Sequence, residues 1–146
     1  MIRDARPDEV AALEALQRRA SDVWEEYRDQ LAEHPDAIAL DIALVRAGRV
    51  RVFEKDRLGV GFSVLLPARE GACELDGLFV EPAAMRGGVG TALVADAAER
   101  ARGQGASRIS VIANPRAVEF YERVGFVEGE PAETRFGPAG WMHLNL

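Results

Sequence analysis

The chain has 146 residues, 48% apolar and 29% charged, which is enough material for one core of ordinary domain size and too little for two. No stretch approaches the roughly 20 apolar residues that cross a bilayer, and Asp4, Asp8 and Glu9 stand where an export signal would be apolar, so neither a membrane span nor Sec export is expected. A net charge of −6, with the arginines scattered among carboxylates, offers no field to attract a nucleic-acid backbone.

Cys73 is the only cysteine, and the two histidines, His34 and His143, are far apart in the sequence. A disulfide within the chain and a Cys/His zinc cluster are therefore not expected, and the compartment implied is reducing and cytoplasmic. Lys55 is the only lysine among 18 basic residues, a bias of the kind a GC-rich, bacterial coding background leaves.

Met1 to Arg3 reads as a short strand. Pro7 then stands at a helix opening, followed by Val10, Leu13, Leu16 and Ala20 at helical spacing. A second helix is expected near Asp22, capped by that carboxylate with Glu25 three residues on, presenting Val23, Tyr27 and Leu31 on one side and ending at His34-Pro35. Asp41 to Ala47 suggests a further short helix stopped by Gly48.

From Arg49 the period changes to two. Val50, Val52 and the Leu58 to Leu66 run predict a hairpin around Lys55-Asp56-Arg57, and Ala72 to Val80 a further strand, after a turn at Arg69-Glu70-Gly71 and closed by Pro82. A helix follows over about Gly90 to Arg102, burying Leu93, Ala97 and Ala101 and ended by Gly103 and Gly105. Ile109, Val111 and Ala113 alternate as a strand. Asn114-Pro115 then opens a helix that runs to Val124, with Gly125 as its left-handed cap and Phe126 folding back. Two last strands, one from Phe126 and one from Trp141 to Leu146, are expected to join through Gly137-Pro138-Ala139-Gly140, the last with Met142, Leu144 and Leu146 on one face and Trp141, His143 and Asn145 on the other. This order of elements predicts an α/β chain, a single domain over 1–146 with one mixed sheet and helices.

Met85-Arg86-Gly87-Gly88-Val89-Gly90-Thr91 lies between a strand and a helix, where free backbone N–H groups at a helix start can hold phosphate oxygens without a lysine. A turn that needs glycine only for its backbone angles is the plainer account. A Walker A loop is excluded because no lysine separates Gly90 from Thr91, and a dinucleotide fingerprint is excluded by Leu93.

Three fragments in order, Val80-Glu81-Pro82, Gly88-Val89-Gly90 and Ala117-x-x-Phe120-Tyr121-x-x-x-Gly125-Phe126, resemble the GNAT superfamily of acyl-CoA N-acyltransferases. The likeness runs from Leu75 to Val127, with the flanking helices and strands in that family's order. It implies a mixed, mostly antiparallel sheet flanked by about four helices, with a splayed central strand pair. It also implies acetyl-CoA as co-substrate and direct transfer of an acetyl group to a primary amine. Met85 departs from the family's Gln/Arg, with Arg86 displaced by one.

By the same resemblance, Met85, Arg86, Gly87, Gly88, Val89, Gly90 and Thr91 bind the pyrophosphate, Asn114 the pantetheine arm, and Phe79 or Val80 gives an N–H to the oxyanion. Tyr121 corresponds to the acid that protonates the CoA thiolate and Glu74 to the base that frees the amine. Packing on an apolar helix face remains the alternative for Tyr121, a plain N-cap for Asn114, and a solvated or ion-paired carboxylate for Glu74. Asp76 shares the Glu74 face, and two carboxylates there point to a cleft and to one raised pKa.

Cys73 reads as a small buried residue and His34 as a helix-end or surface residue, while His143, Trp141, Trp24 and Tyr27 are either core or acceptor-pocket lining. Glu25, Glu26, Asp76 and Glu81 are either a cationic-acceptor cleft or solvated surface. The partners expected are a CoA thioester, a small-molecule or peptide amine acceptor and a second copy in a homodimer, with no nucleic acid and no membrane. Two rival readings remain. One is a non-catalytic acyl-CoA-binding or regulatory module, and the other a structural domain with an ordinary glycine turn.

Overall fold

Pro7 and the apolar repeat behind it build the first elements of the computed structural model, which describes the backbone of residues 1–146 and every side chain except that of Glu25. Strand β1 (Ile2–Asp4) leads through a 3-10 turn at Pro7–Glu9 into α1 (Val10–Ser21), which buries Leu13, Leu16 and Ala20. Helix α2 (Glu25–Glu33) begins later than Asp22 predicts, with Trp24 at its N-cap. Asp22 is still helical (φ −69°, ψ −10°) and its N–H donates to the Arg18 carbonyl to close α1, so it cannot take the extended geometry of a cap. Val23 is consequently exposed while Leu31 is buried. The Glu25 side chain, expected to complete that cap, lies outside the described residues. Helix α3 (Ile42–Arg46) is capped by Asp41, whose carboxylate accepts from the Ala43 N–H at 2.9 Å.

Strands β2 (Val50–Lys55) and β3 (Leu58–Leu65) form the expected hairpin. Both turn residues, Asp56 and Arg57, have positive φ, the backbone twist that matches paired strands. Strand β4 (Ala72–Val80) follows a second two-residue turn, where Arg69 and Ala72 exchange backbone bonds around Glu70 and Gly71, both at positive φ. Next come α4 (Val89–Gly103) and β5 (Arg108–Ala113).

Helix α5 (Val118–Arg123) starts four residues after Asn114. The Asn114 side chain accepts from the Arg116 N–H at 2.9 Å and its carbonyl accepts from Ala117, so it caps a turn ahead of the helix rather than the helix itself. Gly125 has φ +105° and Phe126 returns an N–H to the Tyr121 carbonyl, as expected.

The last connection is not Gly137 to Gly140. Strand β6 (Val127–Thr134) turns at Arg135-Phe136, and β7 (Gly137–Asn145) already contains those residues. Thr134 fixes the turn through its hydroxyl, which donates to the Gly137 carbonyl and accepts from the Phe136 N–H. Strand β7 runs past the end of β5, which it last pairs at Ala113↔Gly140, so Gly137 to Ala139 pair with β6 alone. There Pro138 is tolerated as on an edge strand.

The seven strands form one mixed sheet in the order β1-β2-β3-β4-β5-β7-β6, and the chain has five α-helices, one more than the resemblance implies. Contacts gather into two compact units, Met1–Val64 with Gly77–Leu93 and Leu65–Asp76 with Val94–Leu146. In the first, β1, β2 and β3 pair antiparallel around fully buried Val50, Val52 and Phe62. Gly61 admits the start of α4: a Cβ there would come within 2.8 Å of Val89 and 3.1 Å of the Phe79 carbonyl. In the second, β4 pairs parallel with β5 over Ala72–Glu74 and Arg108–Ser110, while β5 and β6 flank β7 antiparallel. Cys73, Ile109, Val111 and Met142 fall on the buried face of these strands.

Candidate active site

In the first unit, Val80 ends β4 and Glu81-Pro82 turn the chain into a 3-10 turn at Pro82–Ala84. Arg86 (φ +70°) and Gly88 (φ +82°) then bend the loop into α4. The Ala92 N–H donates to the Gly88 carbonyl at 3.0 Å, so the N–H groups of Val89, Gly90 and Thr91 lie in the helix's first turn, where no carbonyl of the helix can reach them. A Cβ built on Gly88 meets no described atom within 4 Å, so this side of the loop is open.

Met85, at the motif's Gln/Arg position, is exposed. With Gly87 and Val89 it borders a depression of about 410 Å³ that also includes Met1, Phe53 and Lys55. Phe79 is packed on Phe62, ring centroids 5.3 Å apart. Glu81 is not available to a cationic acceptor, because both its oxygens are held by Arg19, at 2.6 and 2.7 Å. These bonds from Arg19 keep the Glu81 carboxyl below the usual carboxylate range.

The second unit holds the other expected residues. Glu74 and Asp76 point to the face of β4 opposite Cys73 and Leu75. Glu74 is half-buried and Asp76 exposed. Burial first, and the charge and hydrogen bond of Asp76 second, raise the Glu74 pKa, which is the direction a base working near neutrality needs. Tyr121 is buried at 7% exposure, with the rings of Phe120 and Phe126 edge-on at 5.2 and 5.1 Å. Its phenol is pushed well above the usual tyrosine range by that burial, so it stays protonated at neutral pH. Asn114 has its Oδ1 engaged in the turn described above.

A row of polar residues continues from Glu74 across the same face. Ser110 on β5 is the register partner of Glu74, and His143 on β7 is the register partner of Ser110. The Ser110 hydroxyl lies 2.8 Å from His143 Nδ1, and His143 Nε2 lies 2.9 Å from Glu130. Ser110 is legible only as the polar residue between Ile109 and Val111 in an otherwise apolar strand. Glu130 carries no signal in the sequence, because a bulge between Glu128 and Pro131 is what brings it to His143. Cys73 is fully buried, His34 ends α2, and Trp24 and Tyr27 lie in the first unit.

A family model described as the acetyltransferase (GNAT) family matches residues 10–126, and the chain belongs to that family. It is an acyl-CoA-dependent N-acetyltransferase with acetyl-CoA as co-substrate. No curated protein matches it.

Among solved structures, a GCN5-related N-acetyltransferase from Rhodopseudomonas palustris is 19% identical, with a TM-score of 0.79 over 100% of this chain and 95% of that one. The PaiA N-acetyltransferase of Thermoplasma acidophilum, solved in complex with coenzyme A, is 16% identical (TM-score 0.80, 100% and 98% covered). A ribosomal-protein-alanine N-acetyltransferase from Brucella melitensis is 23% identical (TM-score 0.70, 100% and 99% covered). These likenesses concern the fold. No helix of the described residues is long and apolar enough to cross a membrane.

Proposed function

We propose that the chain works as a single GNAT domain that transfers acetyl directly from CoA to a primary amine of a small molecule or peptide, in a bacterial cytoplasm. The observation that carries this reading is the loop from Met85 to Thr91, which turns through positive φ at Arg86 and Gly88 and presents the first-turn N–H groups of α4 behind Val80-Glu81-Pro82. Those N–H groups and the positive end of the helix suit a pyrophosphate without lysine.

In the reaction, Glu74 takes the proton of the ammonium group. The free amine attacks the thioester carbon, a β4 N–H at Phe79 or Val80 steadies the oxyanion, and the C–S bond breaks. Tyr121 gives its proton to the departing thiolate and recovers one from the acetylated nitrogen, which leaves the neutral amide and free CoA thiol. Asn114 contacts the pantetheine arm through its amide NH2, since its oxygen is already engaged. No nucleic acid or membrane takes part, and a homodimer is the assembly proposed.

A panel of amines incubated with acetyl-CoA, read by release of free thiol, tests the reading. Amine-dependent release supports it. Tight CoA binding in calorimetry with no release from any amine would replace it with a non-catalytic CoA-binding module.

A further inference from the structure

We propose that Ser110, His143 and Glu130 form a proton relay that carries the proton collected by Glu74 across the sheet to solvent. The inference rests on the assignment of Glu74 as base and extends it to residues on three further strands.

The polarity of the chain is set by its outer end. Glu130 is exposed, its side chain 68% accessible, and its carboxylate is held below the usual range by the bond to His143. A carboxylate only accepts, so His143 Nε2 must carry the proton in that bond. In the neutral ring Nδ1 is then the acceptor, and the Ser110 hydroxyl donates to it at 2.8 Å. The Ser110 oxygen keeps lone pairs free, and the residue beside it in register on β4 is Glu74. The row therefore runs from a half-buried acid, through a hydroxyl and an imidazole that is 14% exposed, to a carboxylate in water.

The backbone is shaped around this ring. A Cβ on Gly129 would lie 2.6 Å from His143 Nε2, so only glycine at the β6 bulge lets the imidazole occupy its place between Ser110 and Glu130.

The steps balance. Glu74, protonated by the amine, turns from its hydrogen-bond partner Asp76 toward Ser110, its register partner, and gives its proton to Ser110 Oγ as Ser110 gives its own to His143 Nδ1. The imidazolium so formed, steadied by Glu130, releases the Nε2 proton to that carboxylate or to the surrounding water. Glu74 is again a carboxylate. The hydrogen bonds of the row have reversed direction, and they are restored when the His143 ring turns out of the row, loses its Nδ1 proton to water and takes one back at Nε2, and the Ser110 hydroxyl rotates to face Nδ1 again. The charged groups facing the ring are Glu130, with Arg108 acting on that carboxylate, and Glu74 through Ser110.

Ser110 does not have the setting of a nucleophile. It sits in the middle of a strand, between ladders to β4 and β7, at 7% exposure, whereas nucleophilic serines stand exposed at sharp turns.

The test uses the intact protein with acetyl-CoA and an amine acceptor. Ser110→Ala and His143→Gln should each lower kcat roughly tenfold at pH values below the amine's pKa, with KM for acetyl-CoA unchanged. The loss should fade as pH rises and free amine becomes abundant. Ser110→Thr, which keeps a hydroxyl, should recover most of the rate. Glu130→Gln, at the exposed end where folding is not at risk, should lose about threefold.

If Glu74→Gln shows the pH-dependent loss while Ser110→Ala, His143→Gln and Glu130→Gln all keep the parent profile, the relay is wrong and the base assignment stands. If Glu74→Gln keeps the parent profile, the base assignment fails and the relay fails with it. An acetyl adduct on Ser110, detected by intact mass after incubation with acetyl-CoA alone, would overturn the relay in favour of a covalent path.

Discussion

The guanidinium of Arg19, near the end of α1, grips the carboxylate of Glu81 with two bonds of 2.6 and 2.7 Å. Glu81 lies between Val80 and Pro82, at the entrance to the glycine loop, so one ion pair ties the first helix to the chain that leads into α4. Arg19 is half exposed, and such a pair contributes about 0.5–1 kcal/mol. Arg19→Ala should therefore lower Tm by only a few degrees at low salt, with less difference at high salt, in parallel thermal melts. Because this bonding lowers the Glu81 pKa, its contribution is present at neutral pH and is lost as pH falls through the folded value.

The glycine loop should fail through its ligand rather than through the fold. Gly88 stands at φ +82° with open space where its Cβ would be, so a side chain meets no steric block and costs about 1–2 kcal/mol of backbone strain. Gly88→Leu or Gly90→Leu should abolish CoA binding in calorimetry while circular dichroism stays native. Unchanged affinity would remove the pyrophosphate from this loop.

Tyr121→Phe keeps the ring that packs between Phe120 and Phe126 and removes only the hydroxyl. Turnover should fall roughly tenfold to a thousandfold with CoA affinity retained. Parent-like turnover at every pH would make the aromatic cluster the whole role of Tyr121.

The Glu74 and Asp76 variants should part in sign. Glu74→Gln should cost most at low pH, where free amine is scarce, and less as pH rises. Asp76→Asn removes a charge and a hydrogen bond that raise the Glu74 pKa. The acid limb of its pH–rate profile should therefore move to lower pH, because the base now ionises earlier. A larger, pH-dependent rate loss in Asp76→Asn would make Asp76 the base.

Stability at low pH is set in part at the N-terminus. Arg3 binds both oxygens of Glu9 at 2.8 Å, and the Arg6 N–H adds a third bond. These hold the Glu9 carboxyl at about 2, with the Arg3 bond the largest cause. The folded value is below the unfolded one, so the contribution is complete above about pH 4.5 and disappears as pH falls toward about 2. Glu9→Gln should cost about 2–3 kcal/mol at neutral pH and flatten the urea-stability curve across that window.

By itself the sequence determined the elements whose signals are local. Alternation at Val50 and Val52, the Arg69-Glu70-Gly71 turn, the strand closed by Pro82, the glycine loop feeding α4 and the Gly125 cap all depend on residues within a few positions of each other, and backbone sterics act at that range. The family fragments are legible for the same reason, since loop and helix-start geometry are local. Where the sequence misleads, a nearby competitor wins: Asp22 is drawn into the end of α1, Asn114 caps a turn before it can cap α5, and Thr134 closes the last hairpin ahead of Gly137.

Only the tertiary structure decided which residues on different strands face one another. The partnership of Arg19 with Glu81 depends on where α1 meets the end of β4, and the row from Glu74 through Ser110 and His143 to Glu130 depends on strand order and register. Register in turn depends on turns and on a bulge at Gly129-Glu130 that no periodicity announces. A side chain's charge and hydrogen-bonding capacity are written in its residue type, but its partner and its desolvation, which together set its proton affinity, exist only once the strands have paired.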